Sequence, residues 1–170
     1  MCVVIENSLN IIYSDILSAM IELHKQAPTF SLEDQDGTVH TLEQYKGKKI
    51  LLYFYPKDDT PGCTTEACNF RDNYQTLAGL GLIVLGVSKD TTKSHKKFAE
   101  KYELPFPLLS DVDGVVCEVY GVWRKKKFMG KEYMGIERMS FLIDEKGDIA
   151  KVYESVKPKE HTDEVIRDVA

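Results

Sequence analysis

The chemistry legible in this sequence centres on Pro56-Lys57-Asp58-Asp59-Thr60-Pro61-Gly62-Cys63, which joins an apolar run to a helical pattern. Thr60 is a good N-cap and Pro61 suits the first helical position, so Cys63 falls at the third helical residue. Backbone N–H groups in a helix's first turn lack intrahelical partners, and that end of the dipole is positive. Both favour the thiolate of a cysteine held there. A structural cysteine sits more often on the apolar face in mid-helix, so Cys63 reads as a nucleophile. Cys68 lies five residues further on. On a straight helix that spacing puts Cα atoms roughly 8.6 Å apart, beyond the ~7 Å reach of a disulfide. Pairing of the two therefore demands that the first turns unwind. The alternative is that Cys68 packs as a small apolar residue.

Acidity alone does not make a fast nucleophile. A thiol of pKa ~8.5 is about 3% thiolate at pH 7, so a drop of three units gains roughly 30-fold in thiolate. With a Brønsted slope of ~0.4–0.5 the same drop costs about 15- to 30-fold in nucleophilicity. Speed must come from donors that position the substrate and stabilise the charge that develops on the leaving group.

The elements that position these residues follow from hydrophobic pattern. Ile50 to Tyr55 is continuously apolar and suits a central strand buried on both faces. A helix is expected from about Thr60 to Leu77, with Ala67, Phe70, Tyr74 and Leu77 inward and Gly79 as its stop. Leu82 to Ser88 reads as a second buried strand, and Thr92 to Tyr102 as a helix ended by Pro105. Short strands Thr29–Leu32 and Thr38–Leu42 flank Asp36-Gly37, a hairpin signal. Asp113 to Tyr120 suggests a short helix. Met139–Asp144 and Ile149–Tyr153 suggest a second hairpin, and Lys159–Val169 a closing helix. The predicted fold is an α/β sandwich of thioredoxin-like type, a central mixed sheet flanked by helices.

Composition sets the outer bounds. The chain has 170 residues, 43% hydrophobic and 29% charged, with net charge −5. That is the length of one domain, and the balance offers no global attraction to nucleic acid or anionic lipid. No run of 18 apolar residues predicts a membrane helix. Four cysteines (Cys2, Cys63, Cys68, Cys117) are too few for a disulfide scaffold. With no Cys-x-x-Cys and with His24, His40, His95 and His161 scattered, a zinc site is poorly supported. Residues 1–23 are expected to be an N-terminal extension, with Leu9, Ile12, Ile16, Met20 and Leu23 on one helical stripe. Translation starting at Met20 is the other reading. This segment lacks the marks of a secretory signal, which points to the cytoplasm.

A family resemblance is carried by Pro56-x3-Thr60-x2-Cys63 within Tyr55-Pro56-Lys57 through Thr64-Thr65-Glu66-Ala67-Cys68. It continues in Ala27-Pro28-x-Phe30, Asp36-Gly37, Phe70-Arg71-Asp72, Gly121-Val122-Trp123, Gly130-Lys131 and Arg138-x-Ser140-Phe141-Leu142-Ile143-Asp144. Over residues 24–170 the chain resembles the peroxiredoxins, in particular the peroxiredoxin Q (bacterioferritin comigratory protein) branch. The resemblance implies a thiol peroxidase acting on hydrogen peroxide and organic hydroperoxides. Cys63 matches the peroxidatic cysteine, Thr60 the threonine that holds the peroxide, and Pro56 the proline that shields the pocket. Arg138 matches the arginine that stabilises thiolate and substrate oxygens. Cys68 matches the resolving cysteine of members that form an intrachain disulfide in this helix. The disulfide would be recycled by thioredoxin or a similar dithiol, with no bound cofactor or metal. No Gly-x-Gly-x-x-Gly appears for a nicotinamide. An intrachain disulfide permits a monomer, and neither nucleic acid nor membrane is an expected partner.

The remaining candidates have plainer readings. Cys117, in Val115–Val119, is expected in the core, with a reserve role in resolution, and Cys2 is incidental. Glu66 is expected to complement the helix dipole, an active-site hydrogen bond being the lesser reading. Arg124-Lys125-Lys126-Lys127 is expected as a solvated loop, more basic than the family pattern, and Trp123 as core or pocket wall. A dithiol oxidoreductase is disfavoured by the missing Cys-x-x-Cys. A redox sensor or holdase would share Cys63 but be oxidised once rather than turn over.

Overall fold

A computed structural model describes residues 21–170. The expected helical stripe between Leu9 and Met20 lies outside them. The strand over Ile50–Tyr55 forms as β3 (Lys49–Phe54), which is buried on both faces. Alternation along it divides the core in two. Ile50, Leu52 and Phe54 join one apolar cluster, while Leu51, Tyr53 and the following Tyr55 join the other. Beside β3 run β4 (Leu82–Ser88), parallel, and β8 (Met139–Ile143), antiparallel. The sheet is completed by β1 (Ser31–Glu33), β2 (Val39–Thr41), β5 (Leu108–Ser110) and β9 (Ile149–Tyr153). Its order is β2-β1-β5-β4-β3-β8-β9, the mixed sheet expected.

Helices cover both faces. α1 (Pro61–Asp72), α2 (Tyr74–Gly79), α3 (Thr92–Tyr102) and α5 (His161–Val169) place buried residues in the cluster with Tyr53, and α4 (Val115–Val119) in the cluster with Phe54. The single helix expected over 60–77 is thus two. Asn73 leaves helical geometry, and its side-chain amide donates to the Asn69 carbonyl at 2.9 Å. The second piece ends at Gly79, as expected, and the left-handed glycine that turns the chain is Gly81, with φ +74°. α3 ends at Glu103, a left-handed cap with φ +53°, so the helix is over before Pro105. There the Leu104 N–H reaches the Ala99 carbonyl at 2.9 Å.

The basic run is not a loop. Trp123–Phe128 (β6) pairs antiparallel with Lys131–Ile136 (β7) across Met129-Gly130. Both turn residues have positive φ (47° and 78°), the geometry that matches strand twist in a two-residue hairpin. Hydrophobic alternation could not reveal it, because most of its side chains on both faces are in solvent.

Candidate active site

Thr60 is extended (φ −98°, ψ 154°) and Pro61 opens α1, as the local sequence predicts. The i→i−4 ladder starts with the Thr64 N–H donating to the Thr60 carbonyl at 2.8 Å. Proline has no N–H, so the Gly62 and Cys63 N–H groups lie ahead of the ladder. Thr60 differs from expectation in one respect: its side chain does not cap the helix. Its hydroxyl donates instead to the Lys57 carbonyl at 2.9 Å. That commits the hydroxyl proton and leaves the oxygen's lone pairs as acceptors.

Cys63 is 2% exposed. Arg138 arrives from the junction between β7 and β8, and its Nη2 lies 3.3 Å from the Cys63 Sγ. The same guanidinium donates through Nη1 to Glu66. Glu66 is fully buried, and burial pushes its carboxyl up to about 7 even with Arg138 pulling the other way. The lesser reading of Glu66, an active-site hydrogen bond, is therefore the observed one. A three-residue spacing on one helix face was the available signal. Gly62 explains the close approach: a Cβ there would sit 3.1 Å from the Arg138 Nη2. Below the site, His161 is fully buried with Nε2 2.8 Å from the Ser140 hydroxyl. Burial and the nearby Arg138 hold its ring down to about 4, so it is neutral at pH 7.

Cys68 is half-buried on α1, which is unbroken from Pro61 to Asp72. An unbroken helix keeps it out of disulfide reach of Cys63, and both are free thiols. Cys117 is fully buried among the residues packed with Phe54, on the opposite face of the sheet from Cys63. Desolvation and Asp111 push its thiol well above the usual range. Pro56 is exposed and borders a cavity of about 340 Å³, whose walls include Trp123, Lys126, Tyr133 and Ile136. Trp123 is a pocket wall, with the Lys89 ammonium 4.1 Å from its ring centre. Cys63, Thr60 and Arg138 do not line this cavity.

A thiol at a helix start, faced by a guanidinium and by unpaired N–H groups, on a thioredoxin-like sheet, defines a thiol peroxidase of the peroxiredoxin class. A family model described as AhpC/TSA matches residues 23–152, and the chain belongs to this family. Its likeness is to the peroxiredoxin Q branch. It is 54% identical to a putative peroxiredoxin Bcp of Coxiella burnetii over 86% of this chain and 97% of that one. With peroxiredoxin Bcp of Bacillus subtilis the identity is 50% over 86% and 94%. A solved peroxiredoxin Q of Xanthomonas campestris superposes with a TM-score of 0.79 at 38% identity, covering 82% of this chain and 89% of that one. No helix among the described residues is long and apolar enough to cross a membrane.

Proposed function

We propose that the chain reduces hydrogen peroxide and organic hydroperoxides to water and alcohols through Cys63. The observation that carries this reading is the Arg138 guanidinium 3.3 Å from a sulfur in the first turn of a helix. The Cys63 thiolate attacks one peroxide oxygen, the O–O bond breaks, and the sulfur is oxidised to sulfenic acid. The departing oxygen takes a proton and leaves as water or alcohol. Arg138 and the Gly62 and Cys63 N–H groups donate to the reacting oxygens, where charge develops. Thr60, its own proton committed to Lys57, accepts from the peroxide O–H. For Pro56 the role of shielding the pocket rests on the family resemblance, since the cavity it borders is not lined by Cys63.

Cys68 then resolves the sulfenic acid. The first turns of α1 unwind, Cys68 attacks sulfur, water leaves, and an intrachain disulfide remains. Cys117 lies across the sheet, which supports Cys68 in this role. A dithiol such as thioredoxin reduces the disulfide, with NADPH consumed upstream, and the need for that reductant suits the cytoplasm. The intrachain link fits a monomer, whose peroxidase domain spans 24–170. The alkyl peroxide reduction described for the Xanthomonas campestris bacterioferritin comigratory protein supports organic peroxides as substrates here.

Intact mass after one equivalent of peroxide tests the cycle. Wild type should lose two hydrogens as a single intrachain disulfide forms, and Cys68→Ser should accumulate a sulfenic acid trappable by dimedone. A Cys63–Cys117 link, or a disulfide between two chains, would remove Cys68 from the cycle.

A further inference from the structure

The loop between Pro56 and Thr60 is tied to α3 by two consecutive aspartates. Asp58 is buried and receives the Tyr55 hydroxyl at 2.7 Å and the Ser94 hydroxyl at 2.7 Å. The His95 Nδ1 lies 2.9 Å from one Asp58 oxygen and 3.1 Å from the other. His95 is itself fully buried, and its Nε2 lies 3.1 Å from the Leu109 carbonyl. A carbonyl only accepts, so Nε2 carries a proton. The short contact between Nδ1 and the carboxyl requires a second proton between them. The shared proton ties the loop to α3, on a stretch otherwise facing solvent at Pro56 and Lys57.

Backbone and neighbour reinforce the tie. The Asp58 N–H donates to Asp90 at 2.9 Å, and Asp90 is held by the Ser88 hydroxyl at 2.7 Å. Asp59 is in the left-handed region (φ +54°), with its carboxylate on Lys101 at 2.7 Å and on the Tyr102 hydroxyl at 2.6 Å. A non-glycine residue there is strained and persists only when its surroundings hold it. Between these anchors and the nucleophile lies one link. The Lys57 carbonyl, in the peptide group that Asp58 continues, is the acceptor that aims the Thr60 hydroxyl.

We infer that Asp58 and His95 are positioning residues for the peroxide-attack step, acting through the Lys57 carbonyl on the direction of the Thr60 hydroxyl. This rests on the reading that Cys63 attacks a peroxide accepted by Thr60, which loss of turnover in Cys63→Ser tests separately.

The test compares two reactions of reduced Cys63 by stopped flow. Hydrogen peroxide needs the aimed hydroxyl, whereas alkylation by iodoacetamide needs only the thiolate. Asp58→Asn should slow peroxide oxidation about tenfold or more, since small misplacements are costly, and leave alkylation within about twofold. In a Thr60→Val background, Asp58→Asn should cost little further, because both changes remove the same contact. Should Asp58→Asn fail to fold, Ser94→Ala deletes one donor from a half-buried position and should give a smaller loss of the same selectivity. Equal losses in both reactions would overturn the proposal, as would losses that add in the double variant.

Discussion

Arg138 serves two partners, the Cys63 sulfur and the Glu66 carboxyl, and the second fixes its place for the first. The sulfur alone does not account for rate, because thiolate gained by acidity is nearly cancelled by lost nucleophilicity. Arg138→Ala and Thr60→Val should therefore each slow peroxide oxidation by about a hundredfold, the cost of one lost transition-state contact. Rates that merely tracked the thiolate fraction, read from the pH dependence of alkylation, would contradict this. Glu66 adds a stability signature. Its carboxyl titrates at about 7 in the fold against an ordinary 4.5. Between those values the folded chain keeps a proton that the unfolded chain has lost. Its contribution is therefore full below about 4.5 and is lost as pH rises through about 7, worth up to roughly 3 kcal/mol. Over that window the Tm of wild type should fall relative to that of Glu66→Gln. A constant difference between the two would show that Glu66 is ionised in the fold throughout.

At the scale of elements, α1 combines a well-formed start with a close neighbour. Gly62 is a poor helix residue, yet a Cβ there would press on the Arg138 guanidinium at 3.1 Å. Gly62→Ala should hold or raise the unfolding free energy, by up to about 1 kcal/mol of helix propensity, while lowering the peroxide rate several-fold. Unchanged activity would mean that the guanidinium tolerates displacement. Local signals predicted this helix start correctly and its end poorly. Thr60, Pro61 and Cys63 act within one turn, whereas the break at Asn73 depends on a side-chain amide competing for one carbonyl. The β6–β7 hairpin was illegible for a related reason. Its strands bury little, so no alternation marks them, and only the positive φ angles at Met129 and Gly130 give the turn away. Five cations against the single carboxylate of Glu132 make it a basic arm on an acidic protein.

Across the whole molecule, the sheet separates Cys63, the proposed nucleophile, from Cys117. Cys63 and Cys68 share α1, and Cys117 lies on the far face in the cluster that holds Phe54 and Tyr120. Cys117→Ala should leave peroxide turnover with thioredoxin unchanged; a loss of turnover would mean that resolution crosses the sheet. Disulfide formation should disturb one part of the fold. Backbone amides of α1 should exchange with solvent faster in the oxidised protein, while those of β3, β4 and β8 keep their protection. Protection of α1 in both states would rule out the unwinding on which the Cys63–Cys68 pair depends. The sequence by itself determined the central strand, the place of Cys63 in the first turn of a helix and a five-residue spacing that a Cys63–Cys68 disulfide could bridge only by unwinding. All of these are set by residues within a few positions of one another. Tertiary structure decided the partners: Arg138 lies 75 residues from Cys63, His95 lies 37 from Asp58, and Cys117 is across the sheet. The packing of strands and helices brings the first two pairs together and holds Cys117 apart, and no local periodicity encodes which element lies beside which.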